Sequence, residues 1–375
     1  MRVGIDAHIL GKNKGGVERY VRNLVDLLPR MAPHNEYIFF VGKHWKGQNR
    51  YYRNVKYCKL LVSDPLFQRS VILPFLSMRF NLDVLHVQRI APLFCGTNVV
   101  VTVHDLVLER NKKQYNSLRD RIVRVLTPYT MRTAKRIITV SNAVRNQILD
   151  KYRLPDRKVV SVYNGIDHSF FRSEPKCHNN KERLGNVKHN NPYILYVGAI
   201  EPRKNLEVVI EALRVFLDTE DLAVNFVIAG GIRNGRYYDA LLKLTRRCSL
   251  ENHVKFKGYI TDEEYLRLLR EAKLFIAPSV DEGFDLPPLE AMASEVPVIC
   301  SDIKVHRELF SDCAVFFDSG SARMLYLKIR ELWFDEEKTR AIQKKGLEQA
   351  RKFTWETTVC KIAQIYSETG RHSRD

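Results

Sequence analysis

Two glutamates, Glu282 and Glu290, stand eight residues apart in the stretch DEGFDLPPLEAMA, with a glycine and two prolines between them. Proline cannot continue a preceding helix but suits a helix's first turn, so we predict that a helix begins at LEAMA with Glu290 in its opening turn. Carboxylates accept hydrogen bonds from sugar hydroxyls, and amides at a helix N-terminus bind phosphate oxygens. The stretch therefore predicts a site for a nucleotide sugar, whereas simple helix capping by Glu290 would leave Glu282 unexplained.

Other groups that could do chemistry follow predicted strands. Arg203 and Lys204 come after the strand YILYVGAI, and adjacent arginine and lysine suit a diphosphate because one offers a planar fork and the other a compact charge. Gly15-Gly16 lies between the first strand and its helix, where glycine lets the backbone approach a phosphate. His104 ends the strand VVVTVHD, where a structural and a functional role are equally open.

Short apolar strands alternate with amphipathic helices in both halves of the chain. RVGIDA, EYIFFVG, DVLHV, NVVVTVHD and RIITVS are predicted strands of the first half, and YILYVGAI, NFVIAGG, VKFKGYI, KLFIAPS and VPVICSD are predicted strands of the second. Nearly continuous apolar strands are typical of parallel sheets that are buried on both faces. We therefore predict an α/β protein with two doubly wound, Rossmann-like domains that face each other across one cleft, because ligands bind beyond the carboxyl ends of such strands.

The domain boundaries follow the composition. We assign residues 1–170 to a basic N-terminal domain and residues 191–352 to a C-terminal domain that contains the predicted nucleotide-sugar site. The polar stretch at 171–190 is the predicted connection, because it contains almost no apolar residues. Residues 353–375 are predicted to form a tail helix.

The positive charge is confined to the first half. Residues 1–165 hold 29 lysines and arginines against 11 acids, whereas the remainder holds 32 of each, within a chain of net charge +18. Such asymmetry indicates an anionic partner on that side, although a solvated basic face is the plainer alternative. The charge concentrates at 43–59, with Trp45 and tyrosines, and at 110–136, with Leu118, Ile122, Val125, Leu126 and Tyr129 on one predicted helix side. These segments predict contact with an anionic membrane surface.

The composition argues against several other classes. The seven cysteines are scattered without a C-x-x-C, which favours reduced thiols in a cytoplasmic protein, and Asp6 interrupts any signal-peptide core. No apolar run approaches a membrane span. The G-x-G-x-x-G spacing of a nicotinamide-dependent oxidoreductase is missing after the first strand, and no nucleic-acid-binding signature is present. There is no D-x-D, so we expect neither a metal nor another cofactor.

The motif E-G-F-x-L-P-x-x-E-A-M resembles the signature of retaining glycosyltransferase family 4, whose members have the GT-B fold. The resemblance extends to GGVERYV, VHDL, NGID, VGAIEPRKNLEVVIEAL and FTWE, and so to nearly the whole chain. The segment with Arg203 and Lys204 is most similar to that of mannosyltransferase-like members. Two features depart from the pattern: Asp285 stands where glycine is commoner, and Ser294-Glu295 replaces a small residue followed by glycine.

The resemblance implies a role for each motif residue. Arg203 and Lys204 would neutralise the leaving diphosphate, Glu282 would hold the sugar hydroxyls, and Glu290 would hold the ribose. Gly16 and His104 would approach the donor from the first domain, which would bind the acceptor. The tail helix at 353–375 would return toward that domain. The implied donor-binding set is Gly16, Arg203, Lys204, Glu282, Gly283, Phe284, Leu289 and Glu290, and the implied catalytic set is His104, Arg203, Lys204 and Glu282.

The resemblance also implies a reaction. We expect retaining, metal-independent transfer of a sugar, with GDP-mannose as the first candidate donor, to a lipid-linked or free glycan in cell-surface polysaccharide synthesis. The protein would lie peripherally on the cytoplasmic face of the membrane. A UDP-sugar donor remains an alternative, as does a GT-B-fold sugar epimerase, although Arg203-Lys204 with the paired glutamates favours transfer.

Overall fold

The structure, a computed structural model, describes residues 1–12, 15–43, 45, 47, 52–62, 64–111, 115–171 and 192–371. The strands are β1 (Arg2–Ala7), β2 (Glu36–Gly42), β3 (Val55–Leu60), β4 (Val84–Gln88), β5 (Asn98–Val103), β6 (Arg136–Thr139), β7 (Val159–Ser161), β8 (Tyr193–Val197), β9 (Asn225–Ala229), β10 (Val254–Gly258), β11 (Leu274–Ala277), β12 (Val298–Ser301) and β13 (Val315–Phe317). The helices of the first half are α1 (Gly16–Met31), α2 (Pro65–Phe67), α3 (Leu73–Arg79), α4 (Val107–Arg110), α5 (Leu118–Thr133) and α6 (Asn142–Tyr152), and a π-helical turn, Gln68–Ile72, joins α2 to α3.

The remaining helices belong to the second half and the tail. They are α7 (Leu206–Thr219), α8 (Gly235–Arg247), α9 (Asp262–Glu271), α10 (Leu286–Ala293), α11 (Lys304–Phe310), α12 (Ala322–Phe334), α13 (Glu336–Ala350) and α14 (Trp355–Arg371). Short 3-10 turns are found at Asp156–Lys158, His168–Phe170 and Pro202–Lys204. Within the described ranges, no helix is long and apolar enough to cross a membrane.

The strands form two parallel sheets. The first sheet has the order β3-β2-β1-β4-β5-β6-β7, and the second has the order β10-β9-β8-β11-β12-β13. Every strand pair is parallel. In each sheet the strand order reverses direction beside a central strand, β1 or β8, which is the doubly wound arrangement. The predicted fold class of two Rossmann-like domains is thereby confirmed.

Apolar side chains on both faces explain why these runs form central strands. In the first sheet, Phe39 and Val100 belong to one hydrophobic cluster, whereas their neighbours Phe40 and Val101 belong to another. Successive side chains of a strand point to opposite faces, so the two clusters cover opposite sides of the sheet. Each cluster then needs its own layer of helices, and the alternating helices of the sequence supply them.

The chain divides into two units, which are Met1–Gly165 with the tail from Phe353 onward, and Ile166–Lys352. The tail helix α14 contributes Trp355 and Tyr366 to a core cluster of the first unit. Gly165 lies where α14 begins, and a Cβ atom built on it would stand 2.1 Å from the Trp355 backbone nitrogen. This close approach requires glycine at the Asn164-Gly165 turn. Most of the predicted connection at 171–190 lies outside the described residues.

One basic segment departs from the sequence interpretation, whereas the other keeps its predicted apolar side exposed. The segment at 43–59 contains the edge strand β3, which we did not predict, and its Trp45 and Tyr57 rings pack with centroids 4.5 Å apart against the first core. These aromatic side chains are therefore committed to the fold. In α5, the side that faces the core carries Val123, Thr127, Thr130 and Met131. Leu118, Ile122 and Val125 are exposed instead, so the predicted apolar side faces outward.

Candidate functional site

Loops at the carboxyl ends of β8 and β11 bring the predicted diphosphate-binding residues together. After β8 the chain forms the 3-10 turn Pro202–Lys204, and Asn205 then takes the left-handed conformation before α7 begins. The Asn205 side-chain amide donates to the Pro278 carbonyl at 3.2 Å and to the Ser319 carbonyl at 2.8 Å. These bonds fix the turn that carries Arg203 and Lys204 against the loops that follow β11 and β13.

Glu282 lies between the two cations. Its Oε2 atom is 2.7 Å from the Arg203 Nη1 atom, and its Oε1 atom accepts a hydrogen bond from the Lys204 ammonium. Arg203 also donates through Nε to Glu201 at 2.8 Å. Glu201, Lys204 and Glu282 are all buried. The structure thus joins three residues that the sequence placed at separate strand ends, and it adds Glu201.

The charge state of Glu282 follows from these neighbours. Burial by itself would raise the pKa of Glu282, because it removes solvation from the carboxylate. The Arg203 guanidinium and the Lys204 ammonium outweigh that effect and hold the pKa of Glu282 well below its ordinary value. Glu282 is therefore an anion at neutral pH and can only accept hydrogen bonds. Such a carboxylate suits hydroxyl groups as ligands and cannot act as a general acid.

Asp285 and His306 extend the cluster on its other side. Asp285 Oδ1 lies 3.5 Å from the Lys204 Nζ atom, and Asp285 Oδ2 lies 3.2 Å from the His306 Nε2 atom. His306 is fully buried on α11, and its Nδ1 atom is 3.0 Å from the Ser301 carbonyl oxygen. Lys204 therefore has a carboxylate on each side, from Glu282 and from Asp285.

Both departures from the family pattern occur where the backbone has positive φ. Asp285 has φ of 69° and Glu295 has φ of 57°. Glycine adopts this conformation without strain, whereas for other residues it costs about 1–2 kcal/mol. At position 285 the strained residue gains two contacts with charged or polar side chains. Glu295 makes no comparable side-chain contact among the interactions seen in the described structure.

Helix α10 begins earlier than predicted. It starts at Leu286, with Pro287 and Pro288 in its first turn, so the expectation of a start at LEAMA was wrong. Glu290 consequently lies in the second turn. It is buried, and its Oε2 atom accepts a hydrogen bond from the Tyr265 hydroxyl at 2.6 Å. The prolines belong inside the first turn because their missing N–H groups would have no partner there.

The other predicted donor residues lie on the same loop and helix. Phe284 is buried beside the loop glycine Gly283, and the Leu289 side chain lies wholly within the protein. Gly283 and Phe284 come directly after Glu282 in the chain, so their backbone amides belong to the loop that carries the carboxylate. Of the remaining predicted residues, Gly16 and His104 belong to the first unit.

In the first unit, His104 follows β5 and its Nε2 atom is 2.8 Å from the Gln88 side-chain oxygen. Desolvation lowers the pKa of His104 to about 4, despite the nearby Asp105 carboxylate, so the imidazole is neutral at pH 7. Gly16 is the first residue of α1, and the residue before it, Gly15, has φ of 66°. The glycine that this turn requires is therefore Gly15.

A second buried charge cluster, which the sequence did not reveal, lies at the end of β1. The Asp6 carboxylate is 2.5 Å from the His8 Nδ1 atom and 3.0 Å from the Arg69 Nε atom. Burial alone would raise the pKa of Asp6, but His8 and Arg69 hold it far below its ordinary value. The Asp6-x-His8 spacing at a strand end was visible in the sequence, whereas Arg69 is distant in the chain.

Glu201 and His306 were also missed. Glu201 stands two residues before Arg203, and that spacing was a usable signal for an ion pair. Nothing in the local sequence around His306 indicates its contact with Asp285. In the part of the chain that the structure describes, no group of three or more histidine, cysteine or acidic residues could hold a metal ion.

Two family descriptions divide the chain between them. Residues 14–170 match Glycosyltransferase Family 4, and residues 179–349 match Glycosyl transferases group 1. O-antigen chain mannosyltransferase B of Escherichia coli is 27% identical over 268 residues, which are 71% of this chain and 69% of that protein. O-antigen chain mannosyltransferase RfbU of Salmonella typhimurium is 30% identical over 236 residues, which are 63% of this chain and 61% of that protein.

Solved structures show the same fold at low sequence identity. Sucrose-phosphate synthase from Thermosynechococcus elongatus has a TM-score of 0.77 at 17% identity, and the match covers 98% of both chains. Anabaena Alr3699/HepE, in complex with UDP and glucose, has a TM-score of 0.75 at 20% identity, with 98% of this chain and 100% of that chain covered. WaaG, a glycosyltransferase involved in lipopolysaccharide biosynthesis, has a TM-score of 0.74 at 14% identity, with 98% and 99% covered.

Proposed function

Because the chain belongs to the glycosyltransferases that join a family 4 half to a group 1 half, we propose that it transfers mannose from GDP-mannose to a glycan with retention of configuration. The observation that carries the proposal is the ion-paired trio of Arg203 with the buried Lys204 and Glu282 at strand ends of the second unit. The mannosyltransferase names of two relatives support mannose, although the matched region spans only 61% of one of them. The acceptor is a growing glycan of a cell-surface polysaccharide.

In this mechanism the diphosphate binds at Arg203 and Lys204. The bond between the sugar's anomeric carbon and the diphosphate oxygen breaks, and negative charge develops on that oxygen. Two cations that are already oriented stabilise this charge without reorganisation, and such electrostatic stabilisation usually contributes most to the rate enhancement of an enzyme. The acceptor hydroxyl attacks from the same face and gives its proton to the leaving phosphate, so no separate base is required.

The remaining motif residues would hold the donor. Glu282 would accept hydrogen bonds from sugar hydroxyls, and Glu290 would accept them from the ribose while the Tyr265 hydroxyl fixes its position. The backbone amides of Gly283 and Phe284 would contact the donor from the same loop, and the apolar side chain of Leu289 would support that loop. From the first unit, neutral His104 would act as a hydrogen-bonding group near the sugar, and the Gly16 turn would approach the diphosphate.

A panel of nucleotide sugars tests the donor assignment. We expect the protein to hydrolyse GDP-mannose slowly, at a higher rate than UDP-glucose, UDP-galactose and UDP-N-acetylglucosamine. A higher rate with a UDP sugar would replace GDP-mannose as the proposed donor. Interconversion of sugars without hydrolysis or transfer would favour an epimerase. Activity is expected to survive EDTA, since the two cations supply the positive charge that a metal ion would otherwise provide. Loss with EDTA and recovery with manganese would contradict that expectation.

The acceptor is proposed to be lipid-linked, with the protein at the cytoplasmic face of the membrane. The excess of 29 basic over 11 acidic residues in the first half supports attraction to anionic lipid. Lys112 and Lys113 of the basic segment 110–136 lie outside the described residues. Arg124 donates to the Tyr115 carbonyl at 2.6 Å, so its replacement would disturb the fold. Arg121 is exposed and is the better position to test.

A further inference from the structure

Exposed apolar side chains are concentrated in one part of the first unit. Of the sixteen large hydrophobic residues that are exposed in the described chain, nine lie between residues 61 and 125. Eight of these nine form what we call the apolar ridge: Phe67, Val71, Phe75, Met78, Phe94, Leu118, Ile122 and Val125. Monomeric soluble proteins rarely leave a large contiguous apolar surface in water, so this ridge needs a function.

The ridge has the spacing of two helix faces. Phe67, Val71, Phe75 and Met78 recur every three or four residues along the helical segment 65–79. Leu118, Ile122 and Val125 recur in the same way along α5. Residues with this spacing lie on one side of a helix. Each helix therefore has an apolar outer side in addition to the apolar side that it packs inward.

The two helices share one side of the sheet. Leu73 of α3 and Met131 of α5 belong to the hydrophobic cluster that also contains Phe40 and Val101 of the strands. That cluster covers one face of the first sheet. The outer sides of both helices consequently point away from the same face.

The loop between β4 and β5 contacts both helices and carries the most exposed residue of the ridge. Ser77 Oγ of α3 is 3.6 Å from the Cys95 sulfur, and the Tyr129 hydroxyl of α5 donates to the Leu93 carbonyl. Phe94 stands between these two anchor points and is 83% exposed. The loop is thus fixed on both sides, while its phenylalanine projects into solvent. These contacts hold the loop, and with it Phe94, against both helices of the ridge.

The charges around the ridge are almost all positive. Residues 65–79 and 115–133 contain six arginines and one acid, Asp120. The exposed arginines are Arg79, Arg119, Arg121 and Arg132. An apolar strip flanked by arginines matches the boundary between anionic headgroups and acyl chains. A second copy of this chain fits less well, because the two basic halves would repel each other.

We propose that the apolar ridge inserts into the headgroup–acyl boundary of an anionic bilayer. The proposal refines the membrane association proposed above and rests on it for the choice of partner. It adds a component of binding that charge alone cannot supply. Electrostatic attraction is screened as salt rises, because the Debye length falls from about 10 Å at 0.1 M to about 3 Å at 1 M. Burial of apolar side chains survives high salt.

Vesicle flotation with the full chain tests the insertion. The probes are vesicles of phosphatidylcholine with phosphatidylglycerol and vesicles of phosphatidylcholine alone, at about 0.1 M and about 1 M salt. We expect the unaltered protein to keep much of its binding to the anionic vesicles at high salt. Phe75→Ser with Phe94→Ser should weaken that residual binding by at least about tenfold, because two phenylalanines no longer enter the lipid.

Two further variants separate insertion from other effects. Tyr259→Ser with Leu327→Ser removes exposed apolar residues of the second unit and should bind like the unaltered protein. Arg119→Gln with Arg121→Gln should weaken the preference for anionic vesicles at low salt. Because no donor or acceptor is present, these results do not depend on the proposed sugar transfer. Sedimentation velocity on the same proteins detects self-association.

A fluorescence-quenching measurement tests the insertion if the serine variant does not fold. Phe94→Trp places an indole at the tip of the ridge, and brominated phosphatidylcholine in anionic vesicles should quench its fluorescence beyond the quenching of the unaltered protein. Absence of that extra quenching would overturn the proposal. So would wild-type binding by the serine variant, complete loss of wild-type binding at high salt, or a change from dimer to monomer without any change in vesicle binding.

Discussion

Replacing Glu282 with glutamine tests the candidate site most directly. The carboxylate, which is 7% exposed at its side chain, is paired with Arg203 at 2.7 Å and with Lys204. Breaking a buried ion pair by removing one partner costs about 3–5 kcal/mol. Here Arg203 keeps Glu201 at 2.8 Å and Lys204 keeps Asp285 at 3.5 Å, so we expect the lower end, about 3 kcal/mol.

That loss can be measured as a melting temperature. For a unit of this size, 1 kcal/mol corresponds to about 2–4 °C, so Glu282→Gln should melt about 6–12 °C lower at pH 7. Glu337→Gln, on the exposed first turn of α13, is the matched control and should leave the melting temperature nearly unchanged. Since the folded-state pKa of Glu282 is depressed, its stabilising effect is complete above its ordinary pKa. The difference between the two proteins should shrink as the pH falls below about 4.5.

We expect Glu282→Gln to affect nucleotide binding and sugar turnover in different ways. Without the carboxylate charge, Arg203 and Lys204 are more available to phosphate, so GDP should bind as tightly as before or more tightly. Hydrolysis or transfer of the sugar should fall by roughly a hundredfold, as expected when a group that acts on the reacting sugar is removed. A Glu282→Gln protein that melts and turns over like the wild type would refute this account.

Four other predictions follow from the described contacts. Arg203→Ala should lower turnover by at least about a hundredfold and weaken GDP binding, and near-normal kcat would contradict its assignment. Tyr265→Phe removes the hydroxyl from which Glu290 accepts a hydrogen bond at 2.6 Å and should raise the Kd for GDP more than it changes kcat; an unchanged Kd would argue against ribose binding. Glu295→Gly should raise the unfolding free energy by up to about 1 kcal/mol in urea titrations, since it relieves a positive φ, and a loss would indicate an unseen contact. Because the pKa of His104 is lowered to about 4 from 6.5, this residue should lower the free energy of unfolding by up to about 3 kcal/mol as the pH falls from 6.5 to 4; His104→Gln should remove that part of the pH dependence in urea titrations, while buried His86 keeps its own.

Much of the fold could be predicted from local patterns. A strand buried on both faces must be apolar throughout, and a covering helix must be apolar at every third or fourth residue, so each element leaves its own signal in consecutive residues. The edge strand β3 escaped because an edge strand is buried less, and two lysines interrupt the apolar residues of its VKYCKL sequence. The start of α10 was misplaced because proline is compatible with several positions of a first turn.

Part of the site was also predictable, because its residues follow strands directly. Arg203 and Lys204 come just after β8, and Glu282 follows β11 by only a few residues. Parallel strands place their carboxyl ends at one edge of a sheet, so residues at neighbouring ends come together whatever their separation in the chain. The strand order puts β8 beside β11, and this adjacency produces the ion pairs.

By itself, the sequence determined the two α/β units, the parallel strands and the basic and acidic residues at their ends. Only the tertiary structure decided that Asp285 meets His306, that Arg69 meets Asp6, and which side of α5 faces water. These contacts depend on how separate helices and loops pack, and packing is set by long-range neighbours that leave no periodic trace in the chain. Hydrophobic patterns in the sequence indicate which side of a helix or strand is buried. Which other element packs against that side is decided only when the elements assemble.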